Sequence, residues 1–324
     1  MKKSLLLLLF LLAILLIGCT PNVHTSSNDI TTISVEITEP HTTEAPEILE
    51  TDETITEGTT LYETSAEVST ETPTEPPTEP PTETPTETPT EPPSNTNERD
   101  LYYSELVNQA IAENRKVVYL TFDDGSSTLT PSVLNILDEY GVHATFFVVG
   151  AHSLGDENAQ TMYNEIINRG HSLGIHSFTH NRADIYASLE AFSEDCNKMY
   201  DYVIKLTGYT PFLWRFPGGS ATMYADHRMQ TEYIPYVESK GLTYYDWNVS
   251  SGDGSRDACS TDIYNNVING VMKRNVSVVL LHDGSGHEDT INALPDILDT
   301  LINELNCLVV PITESTTPVQ SYKN

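Results

Sequence analysis

Basic residues are scarce in this chain of 324 residues, which has 16 lysines and arginines against 47 aspartates and glutamates. The formal net charge of −31 is divided almost equally, with −16 in residues 1–100 and −15 in residues 101–324. Both halves of the chain therefore repel phosphate groups. This composition excludes a nucleic-acid partner and argues against binding to a polyanionic surface.

Aromatic residues are nearly absent from the first hundred positions. Between Cys19 and Asp100 the only aromatic residue is Tyr62, whereas 12 of the 19 prolines lie in residues 1–100. A segment with so little apolar surface cannot form a packed core. The remaining length of about 220 residues favours one domain of the larger α/β kind over two large domains.

Long hydrophobic runs are also missing, apart from one at the N-terminus. Two lysines precede an apolar run over residues 5–17, which is shorter than the ~20 residues that span a bilayer. This layout is typical of a signal peptide. The run ends in Leu-Ile-Gly-Cys, which resembles a bacterial lipobox. We predict a lipoprotein signal peptide over residues 1–18 and a lipid anchor at Cys19; an ordinary secretory signal with an incidental cysteine is the alternative.

Threonine, glutamate and proline dominate the next eighty residues. Residues 73–93 repeat Pro-Thr-Glu with additional prolines and threonines. Such a sequence favours extended polyproline II structure, at ~3.1 Å per residue, so that the repeat would span ~65 Å. We predict a disordered linker over residues 19–100, which acts as a stalk and carries a catalytic domain over residues 101–324 away from the membrane.

Residues beyond 100 alternate short β-rich runs with helical patterns. The predicted strands are Lys116–Phe122, Val142–Val149, His171–His176, Phe212–Phe216, Leu242–Trp247, Val276–His282 and Cys307–Ile312. The predicted helices are Pro131–Tyr140, Asn158–Arg169, Ile185–Thr207, Met229–Lys240, Thr261–Arg274 and Asp289–Leu305. This alternation indicates parallel βαβ units of an α/β fold, closed or nearly closed into a barrel. Ligands of such folds bind at the carboxyl ends of the strands.

Five of the predicted strands end in polar clusters. These are Asp123-Asp124-Gly125, His176-Ser177-Phe178-Thr179-His180, Arg215-Phe216-Pro217-Gly218-Gly219, Asp246-Trp247 and His282-Asp283. Each cluster alone has an ordinary interpretation, as a turn, a loop or a surface pair. At five strand ends, however, they converge on one face of the sheet, and this coincidence predicts a catalytic site.

The clusters, in this order and spacing, resemble the motifs of the polysaccharide deacetylases, carbohydrate esterase family four. The resemblance covers about residues 115–313, and its most specific parts are Thr-Phe-Asp-Asp-Gly, His-Ser-x-x-His and the late Leu-x-His. It implies a distorted (β/α) barrel, here of about seven strands, a divalent metal, usually zinc, and hydrolysis of N-acetyl groups on sugars. No obligate protein partner is evident.

Two histidines and one carboxylate are the ligands of a catalytic zinc-type site with open positions. Asp124, His176 and His180 supply this set, for Zn²⁺ or for Co²⁺ or another divalent cation. Asp123 is predicted to be the general base, which accepts the proton of the attacking water. Arg215 is predicted to orient Asp123 through a bidentate contact.

The remaining predicted site residues serve the leaving group and the acetyl group. The backbone N–H at Gly218 is the predicted oxyanion donor, although the family often has tyrosine at this position, which puts side-chain contacts with the substrate in doubt. His282 is the predicted proton donor to the leaving amine, and Asp246 is expected to keep it protonated. Trp247 and Leu280 are predicted to wall a pocket for the acetyl methyl group, and plain core packing is the alternative for both.

Other histidines and the cysteines have no pattern that indicates a function. The histidines without an expected partner are His143, His152, His171, His227 and His287. The cysteines of the head are Cys196, Cys259 and Cys307, for which one disulfide with a buried thiol and three reduced thiols both remain open.

We therefore expect a metal-dependent hydrolase that removes acetyl groups from N-acetylated amino sugars of a surface polysaccharide. Peptidoglycan N-acetylglucosamine is the leading substrate, because a stalked lipoprotein would place its head at the cell wall. An O-acetyl esterase acting on xylan or another polysaccharide is the first alternative. A glycan-binding head without catalysis is the second.

Overall fold

The structure, a computed structural model, describes residue 92, residues 96–150 and residues 155–322. The predicted signal peptide, Cys19 and almost all of the predicted linker lie outside these residues, as does His152. In the part described, no helix is both long enough and apolar enough to span a membrane.

Helices and strands alternate along the described residues. The helices are α1 (Thr96–Ala112), α2 (Thr130–Glu139), α3 (Asp156–Asn168), α4 (Arg182–Ile185), α5 (Leu189–Thr207), α6 (Ile234–Ser239), α7 (Ser260–Met272) and α8 (Glu288–Asp299). Two π-helical turns, Met229–Tyr233 and Thr300–Glu304, precede α6 and follow α8. The strands are β1 (Val117–Asp123), β2 (Thr145–Val149), β3 (Ser172–Ser177), β4 (Leu213–Trp214), β5 (Thr243–Tyr244), β6 (Val249–Ser250), β7 (Val276–His282) and β8 (Leu308–Val309).

All strand pairs form one parallel sheet. Its order is β5-β4-β3-β2-β1-β7-β6, and β8 pairs with the beginning of β1. Strand β1 lies at the centre and is buried along its whole length, as its apolar sequence Val-Val-Tyr-Leu-Thr-Phe-Asp requires. The sheet curls into a half-barrel whose end strands, β5 and β6, do not pair with each other. The predicted α/β fold, a distorted (β/α) barrel, is confirmed.

The two faces of the sheet bury separate apolar clusters. Alternate residues of β1 such as Leu120 and Phe122 face the outer helices and belong to the larger cluster. The other residues of the alternation face the inside of the curl, where a smaller cluster lies; these include Tyr119 and Thr121. That inner cluster includes Tyr119, Phe147, Leu213, Tyr245, Val278 and Ile312. Above it, towards the carboxyl ends of the strands, the inner face becomes polar.

Helix α1 was not predicted from the sequence. Tyr103 and Ala110 of this helix are buried, and Leu106 and Val107 pack beside them, so that the four residues have the i, i+3, i+4, i+7 spacing of an amphipathic helix. These residues pack on the inner cluster. The helix begins at Thr96, ahead of the predicted start of the catalytic domain at residue 101; the domain boundaries themselves stay a prediction.

Two further elements differ from the sequence-based prediction. Strand β6 was not predicted, because its one apolar residue, Val249, lies among polar residues and shows no strand pattern. The predicted helix over residues 185–207 is divided into α4 and α5. The first helix ends at Ile185, and Ser188 begins the second: its backbone is extended and its hydroxyl accepts a hydrogen bond from Ala191 N at 3.2 Å.

Candidate active site

The parallel register places the ends of the two central strands side by side. Asp123, the last residue of β1, pairs with His282, the last residue of β7. Strand β3 ends at Ser177 two strands away, so that His176 lies on the same edge. The predicted base, proton donor and first histidine ligand therefore meet at the carboxyl edge of the sheet, as the sequence predicted.

The predicted metal ligands lie together. Oδ1 of Asp124 is 3.6 Å from Nε2 of His176 and 3.2 Å from Nε2 of His180, and the two imidazole centroids are 5.1 Å apart. This carboxylate oxygen is buried and has no hydrogen-bond partner among the described residues. A buried acceptor that faces two imidazole nitrogens fits a shared divalent cation, which would satisfy all three atoms. The identity of the cation is not fixed by this donor set.

Turn geometry, rather than a helix, brings the two histidines together. His176 belongs to β3, whereas His180 follows a tight turn with a left-handed backbone at φ +55°. Asp124 also has a left-handed backbone, at φ +70°. Each such residue costs about 1–3 kcal/mol of conformational energy, and this kind of strain is concentrated at functional sites.

His176 is held in the form that binds a metal. Its Nδ1 contacts the main-chain oxygen of Arg215 at 2.7 Å, so that this nitrogen carries the proton and Nε2 presents its lone pair. Burial, together with the neighbouring His180, lowers the pKa of His176 to about 3. The imidazole is therefore neutral at physiological pH, as a metal ligand must be.

Asp195 of helix α5 fixes the turn that carries His180, although the sequence analysis did not identify it. Its Oδ2 accepts hydrogen bonds from Ser177 Oγ (2.8 Å) and Phe178 N (2.9 Å). Its Oδ1 accepts two more, from the main-chain N (2.9 Å) and the hydroxyl (2.7 Å) of Thr179. A buried carboxylate requires such partners, but its burial becomes visible only in the structure.

We expect Asp195→Ala to lower the affinity for the activating metal by about 10–100-fold, the usual effect of removing a group that orients a ligand. The reason is that His180 loses the four hydrogen bonds that hold its turn. Asp201→Ala, at an exposed position on the same helix, is the control and should leave the affinity unchanged. Metal titration of both variants by calorimetry measures the difference. Equal metal affinities of the two variants would show that the turn before His180 keeps its conformation without Asp195.

Asp123 and Arg215 form a buried ion pair. Nη1 of Arg215 donates to Oδ1 of Asp123 at 2.8 Å, and the arginine is completely buried. The predicted bidentate contact is wrong, because Nε donates to the main-chain oxygen of Tyr245 and Nη2 to that of Asp246, both at 3.0 Å. Burial raises the pKa of Asp123, and the charges of Arg215 and His282 oppose this effect. The second carboxylate oxygen is left facing the metal ligands, 3.8 Å from His176 Nε2.

Asp246 does not hold His282, contrary to the prediction. Its carboxylate accepts hydrogen bonds from the N–H and hydroxyl of Ser220 and from Ser321 N. These contacts fix the turn that contains Gly218. The N–H of Gly218, whose φ is +80°, has no acceptor within the described part of the chain, whereas the N–H of Gly219 donates to Phe216 O. Gly218 therefore stays the predicted oxyanion donor.

Asp253 is the residue that holds His282. Its Oδ1 contacts Nδ1 of the imidazole at 2.8 Å, and its Oδ2 accepts from His282 N at 2.7 Å and from Thr290 Oγ1 at 2.9 Å. Burial alone would lower the pKa of His282, but the hydrogen bond and charge of Asp253 raise it to about 9. The pKa of Asp253 is lowered by the same contacts, which outweigh the opposite effect of its burial. The imidazole is thus charged at neutral pH, as a proton donor must be.

A small cavity opens beside this site. It has a volume of about 180 Å³ and is lined by Asp124, Ser127, His180, Gly284, Ser285 and His287. Neither Trp247 nor Leu280 lines it: Trp247 packs beside the inner cluster, and Leu280 is buried on β7. Their predicted role around the acetyl group stays a prediction.

Two cysteines of the head belong to the outer apolar cluster, not to the carboxyl edge of the sheet. Cys196 and Cys307 are buried and unpaired, which excludes a disulfide between them. Burial raises the pKa of Cys196 to about 12, so that its thiol is unreactive at neutral pH.

Comparison with known proteins agrees with the fold. The sequence model of the family described as polysaccharide deacetylase matches residues 110–237. A peptidoglycan-N-acetylglucosamine deacetylase of Bacillus cereus is 32% identical over 200 residues, which are 58% of this chain and 67% of that protein. A bifunctional xylanase/deacetylase of Pseudobutyrivibrio xylanivorans is 28% identical over 200 residues, 59% of this chain but only 29% of that protein.

A solved structure of a relative covers the same region. The catalytic domain of a peptidoglycan N-acetylglucosamine deacetylase from Eubacterium rectale has 38% identity and a TM-score of 0.60, over 65% of this chain and 94% of that domain. The curled parallel sheet, with acidic and histidine side chains at its carboxyl edge, places this chain in a class of carbohydrate-modifying hydrolases. This chain belongs to the polysaccharide deacetylase family.

Proposed function

We propose that this protein removes N-acetyl groups from amino sugars of a cell-surface polysaccharide, with peptidoglycan N-acetylglucosamine as its substrate. The observation that carries the proposal is the joint presence, on one sheet edge, of a metal-type ligand set, a buried carboxylate and a protonated imidazole. The printed functions of the Bacillus cereus and Eubacterium rectale relatives support the choice of substrate.

A divalent cation, which we propose to be Zn²⁺, would be held by Asp124, His176 and His180. It would supply Lewis acidity, which polarises the acetyl carbonyl and lowers the pKa of a water. Asp123, held by Arg215, accepts a proton from the attacking water, and the new C–O bond forms at the acetyl carbon. The N–H of Gly218 stabilises the oxyanion that develops there.

His282 then donates its proton to the sugar nitrogen as the C–N bond breaks. Acetate and a free amine are the products. A base and an acid thus lie at the ends of adjacent strands: Asp123 accepts a proton, and His282, paired with Asp253, donates one. A head that only binds glycans would not require this division.

Removal of the metal is expected to abolish acetate release, and Zn²⁺ or Co²⁺ is expected to restore it. The assay compares chitooligosaccharide, peptidoglycan and acetylxylan with chelated and reloaded protein, and elemental analysis gives the metal content. Activity on acetylxylan alone would favour the O-acetyl esterase, for which the xylanase/deacetylase relative is the supporting observation. Full activity in metal-free protein would refute the mechanism.

We also propose that the protein is an exported lipoprotein with a signal peptide over residues 1–18, a stalk over residues 19–100 and a catalytic domain over residues 101–324. Cys19→Ala is expected to move the protein out of the membrane fraction or leave it unprocessed, because the lipid anchor would be lost. Acetate release from a short oligosaccharide should not change, since the stalk contains no proposed catalytic group. Fractionation of cells followed by immunoblotting measures the first effect. Continued membrane retention of a processed variant would refute the anchor.

A further inference from the structure

His287 lies against the proton donor, although nothing in the sequence pattern indicated a function for it. Its ring stacks on that of His282, with centroids 4.9 Å apart and an angle of 17° between the planes. It comes directly before helix α8 and lines the cavity of about 180 Å³. The same short loop leads to Thr290, whose N–H donates to the oxygen of His287 and whose hydroxyl donates to Asp253.

A second group of side chains has the composition of a metal site, namely Asp253, His282 and His287. One ligand atom of each lies within 4.8 Å of the others. Their geometry argues against that function. Stacked imidazoles present their faces to each other, whereas a metal requires the lone pairs that lie in the ring planes. In addition, both oxygens of Asp253 already accept hydrogen bonds.

The charges of the two rings complement each other. Burial and the charge of His282 both lower the pKa of His287, so that it is neutral when His282 is charged. A neutral aromatic ring over a cation is a favourable contact, worth ~0.5–2 kcal/mol depending on exposure. His282 is thus held at one edge by Asp253 and on one face by His287.

We propose that His287 is a positioning residue for His282, whose stacked ring keeps the imidazole of His282 turned towards Asp253 and the substrate. The inference rests on the proposed function, because it assumes that His282 is the proton donor. His287 itself takes no proton in the reaction. Its role is to limit rotation of an imidazole that would otherwise border an open cavity.

The expected direction of the pH effect follows from the groups that face His282. Asp253, Asp123 and Asp124 raise its pKa, whereas burial lowers it. Loss of the His287 ring would admit water, which raises the pKa, and would loosen the contact with Asp253, which lowers it. The stacked ring also favours the charged imidazole, and its removal takes this contact away, so that the pKa of His282 should fall.

The test compares three variants of the metal-loaded protein with the unaltered protein. We expect His287→Ala to lower kcat about tenfold, to leave KM within twofold, and to move the basic limb of the kcat/KM profile to lower pH. His287→Phe keeps a stacked ring and should restore kcat and the pH profile. Asn292→Ala, at an exposed position of helix α8 outside the cavity, is the control and should leave kcat and the pH profile unchanged. NMR titration of labelled histidine, with His282→Gln to assign the signal, measures the pKa of His282 directly.

Several results would overturn the proposal. An unmoved pKa of His282 in His287→Ala, in a protein with unchanged melting temperature and metal content, would show that the ring does not position it. A His287→Phe variant as impaired as His287→Ala would show that a ring nitrogen, not the stacked face, matters. If the unaltered protein released no acetate from any substrate, the proposed function would fail, and the NMR titration would still decide whether His287 holds His282.

Discussion

Asp123→Asn is expected to retain the metal and to lose about 10²–10⁴ in kcat, the usual contribution of a general base. The amide keeps an oxygen for Arg215 Nη1, which now lies 2.8 Å from Oδ1, so that the buried arginine keeps a partner. It cannot accept the proton of the attacking water. The structure thus allows the chemistry to be removed while the architecture is preserved.

Asp124→Asn is expected to lose metal binding, whereas Asp123→Asn loses the general base. Oδ1 of Asp124 is the buried oxygen that faces both imidazoles, at 3.2 and 3.6 Å, and an amide at this position is a weaker ligand for a divalent cation. We expect weaker metal binding and activity that is partly recovered at high metal concentration. Calorimetric titration and single-turnover kinetics of both variants separate the two losses. Identical behaviour of the two variants would show that the two carboxylates do not have separate tasks.

The difference between these neighbours comes from the end of β1. Asp123 is the last residue of the strand, points into the inner face and is 3% exposed. The chain then takes a left-handed conformation at Asp124, which directs the next carboxylate to the two histidines. Adjacent carboxylates consequently differ in burial and partners, which is how such pairs acquire different functions.

Most of the site was predictable because the fold imposes a simple rule. Parallel strands bring their carboxyl ends to one edge, so polar residues at the ends of β1, β3, β4 and β7 had to meet. This rule requires only that each strand is recognised. It is sufficient to bring together Asp123, Asp124, His176, Arg215 and His282 without knowledge of any loop.

The rule fails at a strand that has no apolar run. Strands β4, β5 and β8 are as short as β6 but lie within apolar segments, whereas Val249 of β6 stands among polar residues. The sequence therefore predicts Asp246, after β5, as the partner of His282, whereas the partner in the structure is Asp253, after β6. The available signal was an Asp-Gly pair, since Asp253 is followed by glycine as Asp124 is.

Loop residues and buried helix residues were missed for a different reason. His287 and Asp195 act through contacts with residues far away in the sequence, to His282 and to the turn before His180. No periodicity or spacing encodes such contacts, because loop conformation is set by tertiary packing. Only the three-dimensional arrangement identifies them.

Asp253→Asn is expected to move the basic limb of the kcat/KM profile to lower pH. In the intact protein the pKa of His282 is raised to about 9 from an ordinary value of 6.5, and the hydrogen bond and charge of Asp253 are the main causes that raise it. His282 is active as a donor only while protonated, so activity falls as the pH rises through its pKa. Removal of the negative charge lowers that pKa, because burial then acts with less opposition. The variant should therefore lose activity at a pH where the unaltered protein is fully active.

Asp246→Asn is the matched control for this shift. The sequence predicts that Asp246 keeps His282 protonated, whereas the structure gives this contact to Asp253. The carboxylate of Asp246 contacts Ser220 and Ser321 and makes no contact with His282. We expect its basic limb to stay in place, with any loss of kcat arising from a displaced turn at Gly218. The measurement is kcat/KM for a chitooligosaccharide between pH 6 and 10 in both variants. A limb that moves in Asp246→Asn and stays fixed in Asp253→Asn would support Asp246 as the residue that keeps His282 protonated. It would also show that the 2.8 Å contact between Asp253 and His282 does not control the proton donor.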